Sequence, residues 1–304
     1  MEILAGFIVS LLALSQATFS TTVVSAAVEQ RASVIFGGDM MLDRTVRTTI
    51  DQKGGDFIFS CIDETLANAD LVVANLEGPI TGEKSRSVGS IIGSPDNFVF
   101  TFPLSTAVLL AVHHISVVNL GNNHVMNFGS SGVRSTMYSL NAAGVKYFGD
   151  PINATVTHKS LNGIPLAFIN YNEFSGRGAA STTVAQIQAA RAAGELPVVY
   201  AHWGIEYATT SSAYSRELAH RFVDVGAEIV IGSHPHVVEE HEVYKGKYIY
   251  YSLGNFIFDQ YWNDAVRHGL LLEVSFTSQG VTSVQEIPIE LGRDRRTCPT
   301  RNSS

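Results

Sequence analysis

The stretch Glu228-Ile229-Val230-Ile231-Gly232-Ser233-His234-Pro235-His236 joins a short β-branched run to two histidines that flank a proline. A short apolar run without polar alternation is typical of a strand that is buried on both faces of a sheet. The two imidazoles follow directly after that strand. Because ligands bind beyond the carboxyl ends of strands in open α/β sheets, this stretch predicts an α/β domain with a site at its strand ends.

The same arrangement recurs along the chain. Four more apolar runs end in polar or glycine-rich turns: Ser33–Phe36, Leu71–Ala74, Ile115–Val118 and Pro197–Tyr200. Helix-length amphipathic stretches alternate with these runs, as in a sheet covered by crossover helices. Asn162-Gly163 predicts a tight hairpin turn, and two β-rich segments between residues 269 and 289 predict a closing antiparallel pair. We expect one domain over residues 32–291, with two packed sheets flanked by helices.

Composition limits the classes of partner. The 304 residues are 45% hydrophobic and 16% charged, which favours a globular domain with a substantial core. The formal net charge is -8, and no cluster of Lys and Arg occurs. A protein that follows nucleic-acid phosphates needs a basic face, so we expect no nucleic-acid partner.

The two ends of the sequence differ from its middle. Residues 1–27 contain an apolar run from Ile3 to Leu14 and then small residues, the pattern of a signal peptide or a membrane anchor. An incorrectly assigned start codon is the remaining alternative. We expect an extracytoplasmic protein, secreted or membrane-anchored through its N-terminus. Residues 292–304 predict a disordered tail that carries Cys298 as an unpaired thiol, with Cys61 as a buried small side chain.

Metal-ligating side chains follow five of the predicted strands. They are Asp39, Glu77, Asn123, His202, and His234 with His236. Each alone has an ordinary alternative as a helix cap or a solvated group. Together they have the composition of a two-metal centre, which activates water and stabilises charge on the attacking and leaving oxygens. Imidazole and carboxylate ligands suit a divalent metal such as Mn, Fe or Zn, as one or two ions. Gly37 and Gly38, just before Asp39, predict close approach of a metal or a phosphate.

Four further side chains have supporting roles in this prediction. Asn255 and Asp259 follow the predicted strand Tyr248–Leu253. Because metal-bound imidazoles commonly need an acceptor behind them, we expect both to hydrogen-bond the loops that carry the ligands. Glu206 and Tyr207, in the turn after His202, are expected to line the cleft.

Six motifs occur in a fixed order. They are Gly38-Asp39-Met40-Met41 with Arg44, Asn75–Pro79, Asn122-Asn123-His124, His202–Tyr207, Gly232–His236 and Tyr251–Phe256. In this order they resemble the bacterial capsule synthesis family of the CapA type, which serves the poly-γ-glutamate capsule. The resemblance runs from about residue 34 to about residue 289. The family is in turn similar to calcineurin-like metallophosphoesterases, which implies a metallophosphoesterase-like two-sheet sandwich flanked by helices.

The resemblance implies a role for each candidate residue. The metal ligands would be Asp39 and His236 at the first ion, Asn123, His202 and His234 at the second, and Glu77 between the two. His124 would be the acid that protonates the leaving oxygen. Arg44 would clamp an anionic group, because a guanidinium matches a carboxylate or a phosphate bidentately.

Two positions depart from the related patterns. The phosphoesterase pattern has a histidine two residues after the first aspartate, but Met41 stands there, and a thioether is a poor ligand for Mn or Mg. We therefore expect the first metal to be weakly held or absent. The capsule family has an aspartate before an aromatic residue and glycine, where this chain has Asn127-Phe128-Gly129. This change leaves one fewer negative charge near the site.

Two functions remain open from the sequence. One is an extracytoplasmic metal-dependent hydrolase that acts on a phosphoester or on an amide-linked polymer. The resemblance implies that the substrate is a polyanionic capsule polymer such as poly-γ-glutamate, or its precursor. The other is a non-catalytic assembly or export factor, which would use the same fold to bind metal or polymer beside the subunits of a membrane synthetase complex. A ligase is disfavoured, because the sequence has no glycine-rich nucleotide loop of the P-loop kind.

Overall fold

The computed structural model describes residues 30–300, so the predicted signal peptide or anchor lies outside the described residues. The strands, in chain order, are β1 (Ala32–Met40), β2 (Leu71–Leu76), β3 (Ile115–Asn119), β4 (Lys146–Phe148), β5 (Thr157–Leu161), β6 (Ile164–Asn172), β7 (Leu196–His202), β8 (Ile229–Ser233), β9 (His241–Tyr244), β10 (Lys247–Tyr250), β11 (Asn255–Ile257), β12 (His268–Thr277), β13 (Gly280–Leu291) and β14 (Thr297–Pro299).

In the described part of the chain, seven α-helices connect these strands. They are α1 (Arg44–Lys53), α2 (Asp56–Phe59), α3 (Asp63–Ala67), α4 (Thr106–Val112), α5 (Gly129–Ala142), α6 (Ala179–Ala192) and α7 (Ala213–Asp224). Short 3-10 turns lie at Pro95–Phe98, Glu173–Ser175 and Ala265–Arg267. Within residues 30–300, no helix has the length and apolar character needed to cross a membrane.

The strands form two sheets. The first has the order β14-β13-β12-β1-β2-β3-β4, and β11 pairs with the end of β1. The second has the order β5-β6-β7-β8-β10-β9. Strands β1 to β4 are parallel to one another, as are β6, β7, β8 and β10. The predicted hairpin joins β5 to β6 through Asn162 and Gly163, which have φ of 51° and 81°.

Alternation along the strands places one apolar face between the sheets. Val34 and Phe36 of β1 pack with Ile229 and Ile231 of β8 in the layer between the sheets. Ile35 points to the opposite side of the first sheet, as the period of two in a strand requires. Both sheets are therefore buried on two faces, which explains why their strands read as unbroken apolar runs.

Helices cover the two outer faces. The helices α1 to α5 pack on the first sheet through one apolar cluster, with Val46, Ile58, Leu66, Leu110 and Val133 as their contributions. The helices α6 and α7 cover the second sheet through another, to which Ile187, Leu218 and Phe222 belong. The layers run helix, sheet, sheet, helix. This architecture confirms the predicted two-sheet α/β sandwich flanked by helices.

The expectation of a disordered tail with an unpaired thiol is wrong for the described residues. β14 adds to the edge of the first sheet, where Ile289 pairs with Pro299. Cys298 within β14 forms a disulfide with Cys61, with a Cα–Cα distance of 4.8 Å. A three-residue edge strand held by a covalent bond needs no apolar period of its own, which is why the sequence pattern did not show it.

The glycines before Asp39 serve packing within the protein. A Cβ at Gly38 would lie 1.9 Å from the backbone oxygen of Gly254, and one at Gly37 would lie 2.8 Å from the ring of Phe256. The close approach predicted for this turn is thus to the polypeptide of β11 and the residue before it. This contact brings the ligand-bearing end of β1 against the segment that leads into β11.

Candidate metal centre

The carboxyl ends of strands from both sheets meet at one end of the sandwich. Asp39 lies in β1, and Glu77 and Asn123 follow β2 and β3. His202 ends β7, and His234 and His236 follow β8. Hydrogen bonds cross from one sheet to the other, since the backbone N–H of His234 donates to Asp39 Oδ2 at 3.1 Å. The structure therefore brings all six predicted metal ligands into one site.

Asp39 is a fully buried carboxylate with several donors around it. Its Oδ1 accepts from Asn75 Nδ2 at 2.8 Å, and its Oδ2 lies 3.3 Å from His236 Nδ1. Burial acts to raise the pKa of Asp39, but the hydrogen bond and charge of His236, together with His202 and Asn75, lower it to about 2. Asp39 is thus an anion at neutral pH.

Glu77 is also fully buried, but both of its carboxylate oxygens lack a hydrogen-bond partner. Its Oε1 lies 3.7 Å from His236 Nε2 and 3.9 Å from His124 Nε2. Burial, followed by the negative charges of Asp39 and Glu206, raises the pKa of Glu77 well above its usual value. A buried carboxylate without partners is costly unless a cation compensates it.

Two groups of ligand atoms share Glu77. One contains Asp39, Glu77 and His236, and the other contains Glu77, His202 and His234; within each, the ligand atoms lie within 4.8 Å of one another. Asn123 Oδ1 lies 2.9 Å from His202 Nε2, which adds an oxygen beside the second group. These side chains fit one or two divalent ions, and Glu77 would be the ligand common to both groups.

The imidazoles are suited to binding metal through a lone pair. Burial lowers the pKa of His202 well below its usual value, with a further decrease from the charge of His234. Burial and the charge of His236 likewise lower the pKa of His234 to about 4, and its buried Nδ1 has no hydrogen-bond partner. Both rings are neutral at pH 7, which is the form that coordinates metal.

The backbone that carries the histidine pair is in an unusual conformation. His234 and His236 have φ of 99° and 59°, in the region that favours glycine, on either side of Pro235. Such conformations persist only where the surrounding structure fixes them, and they concentrate at functional sites. The positive φ angles of this turn place both imidazole rings in the same site.

The orientation of His236 follows from Asn255. Three oxygens, those of His236, Gln260 and Val266, lie within hydrogen-bond distance of Asn255 Nδ2, so Asn255 Oδ1 faces His236 Nδ1 at 3.0 Å. His236 Nδ1 therefore carries the hydrogen, and Nε2 directs its lone pair toward Glu77. An acceptor behind a metal-binding imidazole is the usual means of fixing its tautomer. The prediction that Asn255 hydrogen-bonds a ligand loop is confirmed.

His124 lies beside Glu77, on the side of the first sheet. Its Nδ1 is 3.2 Å from Asn127 Oδ1, and its ring packs 4.3 Å from that of Phe100. Burial lowers the pKa of His124 to about 4. The ring is neutral at pH 7, so its predicted role as an acid requires that a bound anionic substrate raise this pKa. That role stays a prediction.

Arg44 lies at the rim of the same side. Its Nη2 is 2.6 Å from Asp259 Oδ1, and its guanidinium group lies 5.2 Å and 5.3 Å from the ring centres of Phe100 and Phe258. Asp259 therefore pairs with Arg44, and with Thr45 at 2.8 Å, instead of supporting a ligand loop. The role of Arg44 as an anion clamp stays a prediction.

Sequence reasoning missed two buried amides beneath the ligands. Asn75 links Asp39 to the second sheet, because its Nδ2 also lies 3.3 Å from His202 Nδ1. Asn119 Nδ2 donates to Asn75 Oδ1 at 3.0 Å. Asn75 is the penultimate residue of β2, and Asn119 is the last residue of β3. A polar amide at a position where a buried strand normally has an apolar side chain is the signal that points to them.

A cavity of about 600 Å³ opens beside the candidate centre. Its lining includes Asn123 and Phe174 and, on the segment just before α6, Arg177. The ring of Phe174 lies 4.6 Å from that of His234 and 5.9 Å from that of His202. Amide side chains form much of the wall: Asn122, Asn123, Asn153, Asn170, Asn172 and Gln186. The cavity therefore offers hydrogen-bond donors and acceptors close to the histidines.

Comparisons with known proteins show the family of this chain. The family described as bacterial capsule synthesis protein PGA_cap matches residues 33–260. The PGA biosynthesis protein CapA of Bacillus subtilis (strain 168) is 30% identical over 292 residues, which cover 90% of this chain and 73% of that protein. The capsule biosynthesis protein CapA of Bacillus anthracis is 27% identical over 297 residues, covering 91% and 71%.

Among solved structures, a hypothetical protein from Thermus thermophilus is similar, with a TM-score of 0.53. The match covers 85% of this chain and 99% of that one at 16% sequence identity. At this identity the similarity concerns the fold alone, and it supports the two-sheet α/β architecture.

Proposed function

The chain belongs to the bacterial capsule synthesis protein family, and from this premise we propose that it acts in poly-γ-glutamate capsule biosynthesis as an extracytoplasmic, metal-dependent hydrolase. The name of the Bacillus subtilis relative supports the polymer, and the candidate metal centre supports the chemistry. The substrate would be the polyanionic capsule polymer or a precursor of it.

One observation carries the proposal of a metal centre. Glu77 is buried, lacks hydrogen-bond partners and belongs to both groups of ligand atoms. Asp39, Glu77 and His236 would hold one divalent ion, and Glu77, Asn123, His202 and His234 a second. When bound, such ions lower the pKa of water and stabilise charge on a reacting oxygen.

The chain itself would position the substrate and handle protons. The cavity beside Asn123 would accept the polymer, whose amides can pair with the amide side chains of the wall. Phe174 would shield the imidazoles from bulk water. His124, held 3.9 Å from Glu77, would take up a proton as the substrate binds and donate it to the leaving group.

The disulfide supports a location outside the cytoplasm. The bond between Cys61 and Cys298 is of a kind that persists in oxidising compartments and is rare in the cytosol. Together with the apolar run in residues 3–14, it favours a secreted or membrane-anchored protein.

A specific observation also favours the second function, a non-catalytic assembly or export factor. Met41 is fully buried in the apolar core, and its sulfur accepts the backbone N–H of Asp43 at 3.1 Å. One of the two ligand groups therefore lacks a ligand from position 41. A centre that holds only one ion would bind a polyanion without cleaving it, beside the subunits of a membrane synthetase.

Both functions can be tested with the purified protein. Metal content is measured first, and poly-γ-glutamate is then incubated with the metal-loaded protein and with Glu77→Gln and His234→Ala. A fall in polymer length that both substitutions abolish supports the hydrolase. Retention of polymer on the protein, without cleavage by any form, supports the assembly factor. Absence of both binding and cleavage contradicts the proposed substrate.

A further inference from the structure

The loop that follows β7 is fastened to the turn that carries the histidine pair. Trp203 N–H donates to Ser233 O at 3.2 Å, and Tyr207 N–H donates to Pro235 O at 2.8 Å. Between them, the backbone N–H of Gly204 donates to Glu173 Oε2 at 2.8 Å. Residues 204–207 therefore move with His234 and His236, and do not form an independent surface loop.

This attachment places the carboxylate of Glu206 over the candidate centre. Glu206, His234 and His236 form a third group whose ligand atoms lie within 4.8 Å of one another. Glu206 is exposed, whereas both histidines are buried, so its carboxylate approaches from the solvent side. Its negative charge also contributes to the raised pKa of Glu77.

A chain of hydrogen bonds connects Tyr207, the neighbour of Glu206, to the back of His236. Asn255 binds His236 Nδ1 and also donates to Gln260 Oε1 at 3.0 Å. Gln260 Nε2 donates to the hydroxyl of Tyr207, the residue next to Glu206, at 3.3 Å. One network thus links the back of His236 to the loop that carries Glu206, as supporting hydrogen bonds do at metal sites.

The group formed by Asp39, Glu77 and His236 receives no ligand from position 41. Asp39, Glu77 and His236 provide three groups, and the sulfur of Met41 is turned into the apolar core. Divalent ions of the Mn, Fe or Zn type bind four or more ligands in proteins, with water or substrate completing the set. Among the described residues outside the predicted ligand set, the carboxylate grouped with His236 is that of Glu206.

We propose that Glu206 is a metal ligand of this centre, which joins His234 and His236 from the loop after β7. The proposal rests on the metal centre of the proposed function. It also accounts for the rigid attachment of residues 204–207, because a ligand on a mobile loop would hold an ion weakly.

The test measures metal affinity and does not depend on enzymatic activity. The metal-free protein is titrated with Mn²⁺ and with Zn²⁺ by isothermal calorimetry, and Co²⁺ is added as a spectroscopic probe of coordination. Glu206→Gln is compared with Glu217→Gln, an exposed glutamate on α7. We expect Glu206→Gln to weaken one bound ion by about 10–100-fold and to change the Co²⁺ spectrum, whereas Glu217→Gln leaves both unchanged.

Unchanged affinity and an unchanged Co²⁺ spectrum in Glu206→Gln would overturn the assignment, and they would be the result if Glu206 acted only on water or substrate. Failure of the unsubstituted protein to bind any of the three metals would overturn the proposed centre itself. The two failures are distinct, because only the second appears in the protein without a substitution.

Discussion

Glu77 and His236 face each other at the middle of the candidate centre, with Glu77 Oε1 3.7 Å from His236 Nε2. This distance is too long for a hydrogen bond and suits two ligands that share an ion. The carboxylate is fully buried and has no other partner. In the metal-free protein, Glu77 is therefore a source of instability that metal binding would relieve.

Glu77→Gln should accordingly stabilise the metal-free protein and abolish metal binding. Removing the buried negative charge should raise the free energy of unfolding by about 0.5–2 kcal/mol, a trade of function for stability. The measurement is urea denaturation in EDTA, followed by a Mn²⁺ titration. Glu64→Gln, at an exposed position of α3, is the matched control and should change neither quantity. A less stable Glu77→Gln protein would contradict this account.

The stability of the metal-free protein should depend on His124 in mildly acidic solution. Its folded pKa of about 4 lies below the usual 6.5, so the unfolded state binds more protons between these values. This histidine's contribution is fully present above pH 6.5 and is lost as pH falls toward 4. Glu77, with its raised pKa, acts in the opposite direction, so the comparison with a variant is needed.

His124→Gln should therefore flatten the decrease in stability between pH 6.5 and pH 4. The slope should differ from that of the unsubstituted protein by at most about 1.4 kcal/mol per pH unit, the limit for one proton. Chemical denaturation at five pH values, in EDTA, gives both slopes. Parallel curves would show that burial does not shift the pKa of this imidazole.

Asn255→Leu should weaken metal binding without unfolding the protein. Loss of the acceptor behind His236 frees the tautomer and the orientation of the ring, which should lower metal affinity by about 10–100-fold. Asn255→Asp keeps an acceptor at this position and should retain more of the affinity than Asn255→Leu. Competition with a fluorescent chelator measures both. Equal affinities in the two variants would count against an orienting role.

Reduction of the disulfide should destabilise the domain. Cys61 and Cys298 are 237 residues apart, and a cross-link of that span should contribute about 2–4 kcal/mol. Thermal melts with and without a reductant measure the effect. A Cys61→Ser/Cys298→Ser protein should melt at the lower temperature under both conditions, and sensitivity to reductant in that protein would exclude the disulfide as the cause.

Gly38→Ala should disrupt the junction between β1 and β11. The added Cβ would lie 1.9 Å from Gly254 O, so backbone must shift, at an expected cost of at least about 2 kcal/mol. Gly82→Ala is the control, because its Cβ would approach no atom more closely than 4.0 Å. Denaturation curves compare the two, and equal stability would show that the backbone tolerates the methyl group.

The sequence predicted those parts of the protein that local pattern controls. The apolar runs at Ser33–Phe36 and Pro197–Tyr200 lie in buried strands because both faces of each sheet are covered. The convergence of Asp39 with Glu77 also followed, because β1 and β2 are parallel and bring their carboxyl ends to one edge of the first sheet.

Local sequence patterns could not predict the features that depend on tertiary contacts. The pairing of Cys298 with Cys61 depends on β14 reaching the edge of the first sheet, which no local period encodes. The position of Glu206 depends on a hydrogen bond from Tyr207 to Pro235, between loops that are distant in sequence. Asp259 was misplaced for the same reason, since its partner Arg44 precedes it by more than two hundred residues.

The two sheets each supply part of the ligand set, so metal binding at the candidate centre requires that the sheets have docked. Asp39 and Glu77 come from one sheet and His202 and His234 from the other, so neither half alone can complete a site. An ion bound there would link the two sheets. Because it binds only the docked state, it would stabilise that state against separation of the sheets. Metal binding should consequently occur late in refolding, and the time at which it begins would report when the two sheets dock.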